Sequence, residues 1–296
     1  MGNEYQKMLR DFKSCQARIE KRLEEFFVGY ESYSVLLESM RYSLLAGGKR
    51  IRAIMCLKFC EAAGGGADKA IEAACAIEML HTYSLIHDDL PCMDNDSMRR
   101  GKPSNHIKYD VSTATLAGDA LQAAAFETLL HTDLPPVAVV KMAEIFAKAA
   151  GPHGICGGQY LDVRSEGRGL GQAGLEEIHM LKTAALISAS AQIGVVAADG
   201  TAEQLKAAEE YALAVGFAFQ IRDDVIDCVS TSDRLGKPAG SDKENDKTTF
   251  MSLYGERECE ILIDAWTKRA ISALRGKFDD PGFLEWLALM LASRSN

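Results

Sequence analysis

Six aspartates in two short runs carry the densest chemistry of this chain. Asp88, Asp89 and Asp94 lie in Leu85-Ile86-His87-Asp88-Asp89-Leu90-Pro91-Cys92-Met93-Asp94, and Asp223, Asp224 and Asp227 in Gln220-Ile221-Arg222-Asp223-Asp224-Val225-Ile226-Asp227. Crowded carboxylates resist joint ionisation unless a cation neutralises them, and oxygen-only donors suit a hard ion such as Mg²⁺. Gln220, Asp223, Asp224 and Asp227 are spaced 0, 3, 4 and 7, one stripe of a helix. Such a stripe is ordinarily a solvated face. Here Leu213, Val215, Phe217 and Phe219 precede it and Val225 and Ile226 interrupt it, which predicts a buried helix whose acids face a cavity. In the first run, a helix over 67–90 puts His81 and Asp88 within roughly 20° of each other. Pro91 then disfavours helix at Leu90, so Asp94 is expected in a loop folding back toward the helix end.

Basic residues complete the pattern. Gly47-Gly48-Lys49-Arg50-Ile51-Arg52 reads as a glycine break opening a helix, which suits a phosphate, with a plain cationic turn as the equal alternative. Arg99-Arg100-Gly101-Lys102 follows the first aspartate run, and arginines beside a metal form a diphosphate clamp. Lys182-Thr183 reads as mid-helix and Lys237 as part of a polar loop; alone, each lysine reads as solvated. In Gly157-Gly158-Gln159-Tyr160-Leu161-Asp162 a helix starts after the glycines, with Gln159 and Asp162 on one face; packing and capping explain it equally well. His87-Asp88 also occurs in helical metal-dependent phosphohydrolases of the HD type. His81 is present, but His106, His131, His153 and His179 show no suitable pattern around a second acid.

The elements that must position these groups are helical. Stretches 67–90, 112–131, 137–150, 174–198 and 201–229 are rich in helix formers, β-branched alternation is scarce, and the seven prolines mostly fall where helical periodicity stops. The expectation is an all-α, single-domain helical bundle, with 230–247 a mobile loop over the site. At 296 residues and 47% hydrophobic the chain can bury a substantial core. Its 33 basic against 42 acidic residues, net −9, disfavour nucleic acid and anionic membrane as partners. The N-terminus lacks an apolar signal core and no run reads as a membrane span, so cytoplasmic residence is expected. Eight scattered cysteines read as reduced thiols filling the core, and Cys92, inside the first run, as an unlikely ligand beside so many oxygens.

Taken in order along the chain, GGKRIR at 47–52, HTYSLIHDDLPCMDNDSMRRGKP at 81–103, LAGDALQ at 116–122, GGQYLD at 157–162, LKT at 181–183 and FQIRDDVID at 219–227 give a close resemblance to the trans-prenyltransferases. The resemblance is to the bacterial-type short-chain farnesyl diphosphate synthases (geranyltranstransferases) and covers nearly all of 1–296 as one polyprenyl synthetase domain. It implies an isoprenoid-synthase bundle around a deep cavity, a homodimer, and about three Mg²⁺ ions bridging the aspartates to an allylic diphosphate. Isopentenyl diphosphate would be joined to dimethylallyl or geranyl diphosphate. Carried over by position, Asp88 and Asp94 with Asp89 in support, and Asp223 with Asp224 and Asp227, match metal ligands. Arg99, Lys182 and Lys237 match the allylic diphosphate grip. Lys49, Arg52, His81 and Arg100 match the isopentenyl diphosphate pocket, and Thr183 and Gln220 match dipoles near the allylic cation. Tyr83 and Ser84, five and four residues before Asp88, match the floor under the growing tail, and a bulky Tyr83 implies a C15 product. Asn95 and Ser97 interrupt a commonly fuller acidic run, and Asn245-Asp246-Lys247 replaces a more usual glycine-lysine. A geranylgeranyl (C20) synthase is the alternative, ahead of a terpene cyclase, which lacks an isopentenyl pocket, and of a non-catalytic modulating subunit, a type that typically loses aspartates.

Overall fold

The computed structural model describes residues 2–29, 32–229 and 248–294; the loop 230–247, with Lys237 in it, lies outside the described residues. Thirteen helices are described: α1 Gly2–Glu24, α2 Ser34–Leu44, α3 Ile51–Ala62, α4 Ile71–Asp88, α5 Asn105–Lys108, α6 Val111–Leu130, α7 Pro136–Ala150, α8 Ile155–Ser165, α9 Gln172–His179, α10 Ala185–Ala197, α11 Ala202–Val229, α12 Phe250–Leu274 and α13 Gly282–Ala292. A 3₁₀ turn, Ala67–Ala70, leads into α4, and a π-helical turn, Met180–Ala184, joins α9 to α10. The described strands are β1 Met98–Arg99 and β2 Lys102–Pro103, a two-stranded antiparallel hairpin. The all-α expectation holds.

Local chemistry sets the boundaries. Asp110 caps α6 by accepting from the Thr113 amide, Pro136 stands at the first turn of α7, and Thr249 with Ser252 forms a reciprocal cap on α12. The helix before Pro91 stops at Asp88. Two expectations are corrected. The run 174–198 is not one helix, because the π-helical turn interrupts it, so Lys182 and Thr183 lie in that turn and not mid-helix. Helix α8 begins at Ile155, which places Gly157 and Gly158 inside its first turn, not before it.

Helices α3, α4 and α10 form the interior, packed with α6, α7 and α11 around them. In α4, residues 73–80 are buried on every side, and the partly open positions His81, Leu85 and Asp88 share one stripe, the side that meets the cavity. Tyr211 is fully buried and donates its hydroxyl to the Leu284 carbonyl at 2.7 Å, tying α11 to α13. A smaller apolar cluster, with Phe217, Ile221 and Val225 of α11 against Phe250 and Ile263 of α12, lies behind the second aspartate run. Among the described residues one run, Gln172–Ala197, is long and apolar enough to cross a membrane, yet most of it is buried within the bundle. Five of the eight thiols are buried, Cys92, Cys156 and Cys228 are exposed, and none of the eight is in a disulfide.

Candidate active site

A cavity of about 430 Å³ opens where α4, α8, the π-helical turn and α11 converge. Helix α4 contributes His81, Leu85 and Asp88 to its wall, and the following loop contributes Asp94, Asp96 and Arg99. That loop folds back as expected: the Asp94 amide donates to the Asp88 carbonyl at 2.9 Å. From the other side come Gln220, Asp223, Asp224 and Asp227 of α11, with Lys182 and Thr183 between. The two aspartate runs thus stand on separate walls of one cavity. A second cavity of about 440 Å³ between α7, α10 and α11 carries Lys141, Lys148 and His153 but no aspartate.

The aspartates divide by what already engages them. Burial, opposed by Lys182 and reinforced by Asp94, raises the Asp88 carboxyl to about 6, the state of an acid short of positive charge. Asp227 Oδ1 is buried with no hydrogen-bond partner. Asp223 is paired with Arg294 near the end of the chain, whose guanidinium also lies over the Phe219 ring at 3.8 Å. Asp89 and Asp224 are each held by protein partners. Asp89 is 2% exposed and absent from the cavity wall, with Arg99 Nε donating to its two oxygens at 2.9 and 3.2 Å. Asp224 accepts from the Phe250 amide at 2.8 Å and from Gln220 Nε2 at 3.3 Å, which secures the start of α12. Asp88 and Asp94 on one wall and Asp223 and Asp227 on the other fit a hard divalent cation by donor chemistry, all being cavity-lining carboxylates. Among the described residues no three such groups converge on one point.

The cations fall into two groups. In the first, Lys182 Nζ bonds Asp162 Oδ2 at 2.6 Å; burial would lower its pKa, but Asp88 and Asp162 outweigh that and hold it charged. Arg99, oriented by Asp89 and by Asp96 at 3.3 Å, stands on the same side. In the second group, Arg52 Nη1 lies 3.4 Å from His81 Nε2 and Arg52 Nε is buried without a partner. Burial, with Arg52 and Arg100 close by, drives the His81 pKa well below its usual range, so the ring is neutral and can accept at Nε2. Lys49 is close enough for Arg294 to lower its pKa, after burial, and for Asp223 to raise it. Arg100 points away from Arg99 because the turn between β1 and β2 places Arg100 (φ 52) and Gly101 (φ 73) both in the left-handed region. Its guanidinium donates to the Gly47 carbonyl and lies off the cavity wall.

Thr183 Oγ1 donates to Gln220 Oε1 at 3.2 Å, joining the two expected dipoles directly. Tyr83 and Ser84 do not line this cavity. Tyr83 is buried between His87, edge-on at 5.5 Å, and Cys156 Sγ, 3.2 Å from its hydroxyl; Ser84 donates to the His81 carbonyl. His87 Nε2 lies 3.0 Å from the Thr115 carbonyl, against Gly118, and so turns from the cavity, which removes the HD-type reading. Cys92 is exposed and not on the cavity wall, as the abundance of oxygens implied.

Sequence reasoning weighed Asp162 evenly, found no pattern around His179 and left the role of Arg294, the one cation of 293–296, open. His179 lines the cavity, stacks on Phe250 at 5.3 Å, and has a buried, unpartnered Nε2. Its one available signal was its position three residues before Lys182, on the same helical face.

The polyprenyl synthetase family model matches residues 33–272. The large subunit 1 of the chloroplastic heterodimeric geranylgeranyl pyrophosphate synthase of Arabidopsis thaliana is 44% identical over 268 residues, 88% of this chain and 72% of that protein. The farnesyl diphosphate synthase of Geobacillus stearothermophilus is 39% identical over 281 residues, 94% of this chain and 95% of that protein. In structure, the chain is similar to a Helicobacter pylori geranyltransferase complexed with magnesium and isoprenyl diphosphate, with a TM-score of 0.85 at 32% identity over 96% of each chain. A matched family model over most of the length, a relative matched along nearly all of both chains and a shared bundle agree with the paired aspartate walls, and the chain belongs to the polyprenyl synthetase family as a short-chain trans-prenyltransferase.

Proposed function

We propose that the protein is a Mg²⁺-dependent farnesyl diphosphate synthase that condenses isopentenyl diphosphate with dimethylallyl and then geranyl diphosphate. The observation that carries this reading is the pair of aspartate walls with two separate cation groups, one for each diphosphate. Asp88, Asp94, Asp223 and Asp227 would hold Mg²⁺, about three ions with substrate bound, and the bound metal supplies charge neutralisation of the leaving diphosphate. Lys182 and Arg99 hold the allylic diphosphate, with Lys237 expected to join them; Lys49, Arg52 and His81 hold the isopentenyl diphosphate, with Arg100 fixing the turn beside it. Ionisation breaks the allylic C–O bond. Thr183 and Gln220 direct their dipoles toward the developing cation, and Leu85, Phe219 and Ile226 keep water from quenching it. The isopentenyl double bond attacks, and the proton from its C2 leaves to an oxygen of the released diphosphate.

The C15 product is supported by the bulk of the buried Tyr83 and by similarity to a farnesyl diphosphate synthase along nearly all of both chains. A C20 product is the second reading, favoured by the 44% identity to a geranylgeranyl pyrophosphate synthase subunit. A homodimer belongs to the proposal, and Leu116 and Leu130 of α6 with Val137 and Val140 of α7, all exposed, support a face for it. Cytoplasmic residence is in keeping with eight cysteines held as thiols, none of them in a disulfide. Incubation with isopentenyl diphosphate, dimethylallyl diphosphate and Mg²⁺, with products separated by chain length, tests the reading. A C15 product lost on chelation is expected; a C20 product overturns the length, and turnover undiminished by chelation overturns the metal.

A further inference from the structure

The turn before α3 is held by more than its glycines. Gly47 (φ 81), Gly48 (φ 128) and Arg50 (φ 53) all occupy the left-handed region. Glycine does so freely, whereas an arginine there is strained. Its side chain explains the choice. The Arg50 side chain is entirely buried. Its Nε donates to Glu20 Oε1 at 3.0 Å, its Nη1 to Glu78 Oε2 at 3.1 Å, and its Nη2 to the Leu44 carbonyl at 2.7 Å. These partners belong to α1, α4 and the end of α2, so one guanidinium ties three helices to the residue between Lys49 and Arg52. Glu78, itself buried, lies one turn before His81 on α4. The same strut therefore connects both sides of the Arg52–His81 contact. No other side chain with five fixed donors could do this at one position.

We propose that Arg50 and Glu78 are positioning residues for the anion grip made by Lys49, Arg52 and His81, a buried strut that sets how the start of α3 faces α4. The inference rests on reading that grip as the isopentenyl diphosphate pocket. Arg50 and Glu78 do not touch the substrate; they fix the direction of groups that do. The consequence is selective, because the allylic grip of Arg99 and Lys182 hangs on other elements.

The test is the double variant Arg50→Met/Glu78→Met, which removes one charge of each sign together and so leaves neither stranded in the interior nor the local net charge altered. Steady-state kinetics with geranyl diphosphate, isopentenyl diphosphate and Mg²⁺ should show KM for isopentenyl diphosphate raised about tenfold, with kcat and KM for geranyl diphosphate within about twofold. An unchanged isopentenyl KM, or an equal rise for both substrates, overturns the strut. Should the double variant fail to fold, Arg50→Lys keeps the buried charge with one donor nitrogen in place of three, and should raise the isopentenyl KM about threefold with the same selectivity; a loss without selectivity overturns the proposal. Arg52→Ala separates the two claims. If it leaves the isopentenyl KM unchanged, the pocket reading fails; if it raises that KM while the strut variants do not, the strut alone fails.

Discussion

Substituting Gly158→Ala tests how the site is held. A β-carbon on Gly158 would come within 2.6 Å of Lys182 Cα and 2.7 Å of Lys182 Cβ, and nearer still to the Lys182 amide nitrogen. The obstacle is backbone, not the end of a flexible side chain. To restore ordinary contact at 3.4 Å to its nearest atom, the amide nitrogen, the Lys182 backbone must recede by about 1 Å or more. Overpacking of this kind destabilises by about 1–3 kcal/mol. At about 2–4 °C per kcal/mol, the unfolding midpoint should fall by several degrees. The functional effect should be larger, because the displaced turn carries Lys182 and Thr183. A misplacement near 1 Å lowers kcat/KM for the allylic diphosphate by about 10²-fold. Thermal unfolding and steady-state kinetics measure the two effects, with Gly66→Ala, where a β-carbon meets nothing within 4 Å, as the control. Normal kinetics in a destabilised Gly158→Ala protein would refute the idea that α8 positions Lys182. An unchanged midpoint would refute the packing argument itself.

Tyr83→Ala should lengthen the product from C15 to C20 or beyond, read by chain-length separation; an unaltered distribution sinks the floor assignment. Asp224→Ala should lower thermal stability by removing the acceptor of the Phe250 amide, while Asp227→Asn should leave the midpoint within about 1 °C and raise the Mg²⁺ needed for half-maximal turnover. The reverse pattern would exchange their roles. Burial, aided by Lys182 and opposed by Asp162, lowers the His179 pKa from 6.5 to about 4, so the unfolded chain binds the extra proton and the fold loses stability as pH falls from 6.5 toward 4. Asp88, raised from 3.8 to about 6, has the opposite sign between those values. His179→Gln should therefore lose less stability than the parent protein between pH 7 and pH 4.5 without Mg²⁺; equal losses measured by thermal unfolding would contradict the assignment.

Much of this site was legible because its chemistry is local in sequence. Asp94 folding back on Asp88 follows from Pro91, and the stripe of Gln220, Asp223 and Asp227 follows from helical spacing. The helix bounds followed from prolines and glycines. What spacing could not reveal was competition among partners. Asp89 and Asp224 look like their neighbours in the sequence, yet Arg99 and the Phe250 amide engage them, and these partners are fixed by tertiary packing. The π-helical turn at Lys182 was equally hidden, since Met180–Ala184 is an ordinary helical run whose widening coincides with the close approach of Gly158. Glu78 and Arg50 were invisible for the same reason: a buried ion pair 28 positions apart leaves no periodic trace.

The hairpin at Arg99–Lys102 has one more consequence. Its two-residue turn sends successive guanidinium groups to opposite neighbourhoods, Arg99 toward Asp89 and Arg100 toward the Gly47 carbonyl. Under the proposed reading these neighbourhoods belong to different substrates. The reference distance between the two substrate neighbourhoods then resides in a single peptide unit, about 3.8 Å between adjacent α-carbons. Covalent geometry serves there as a gauge block, so breathing of the surrounding helices would carry both arginines together and leave the offset of one reactant from the other unaltered.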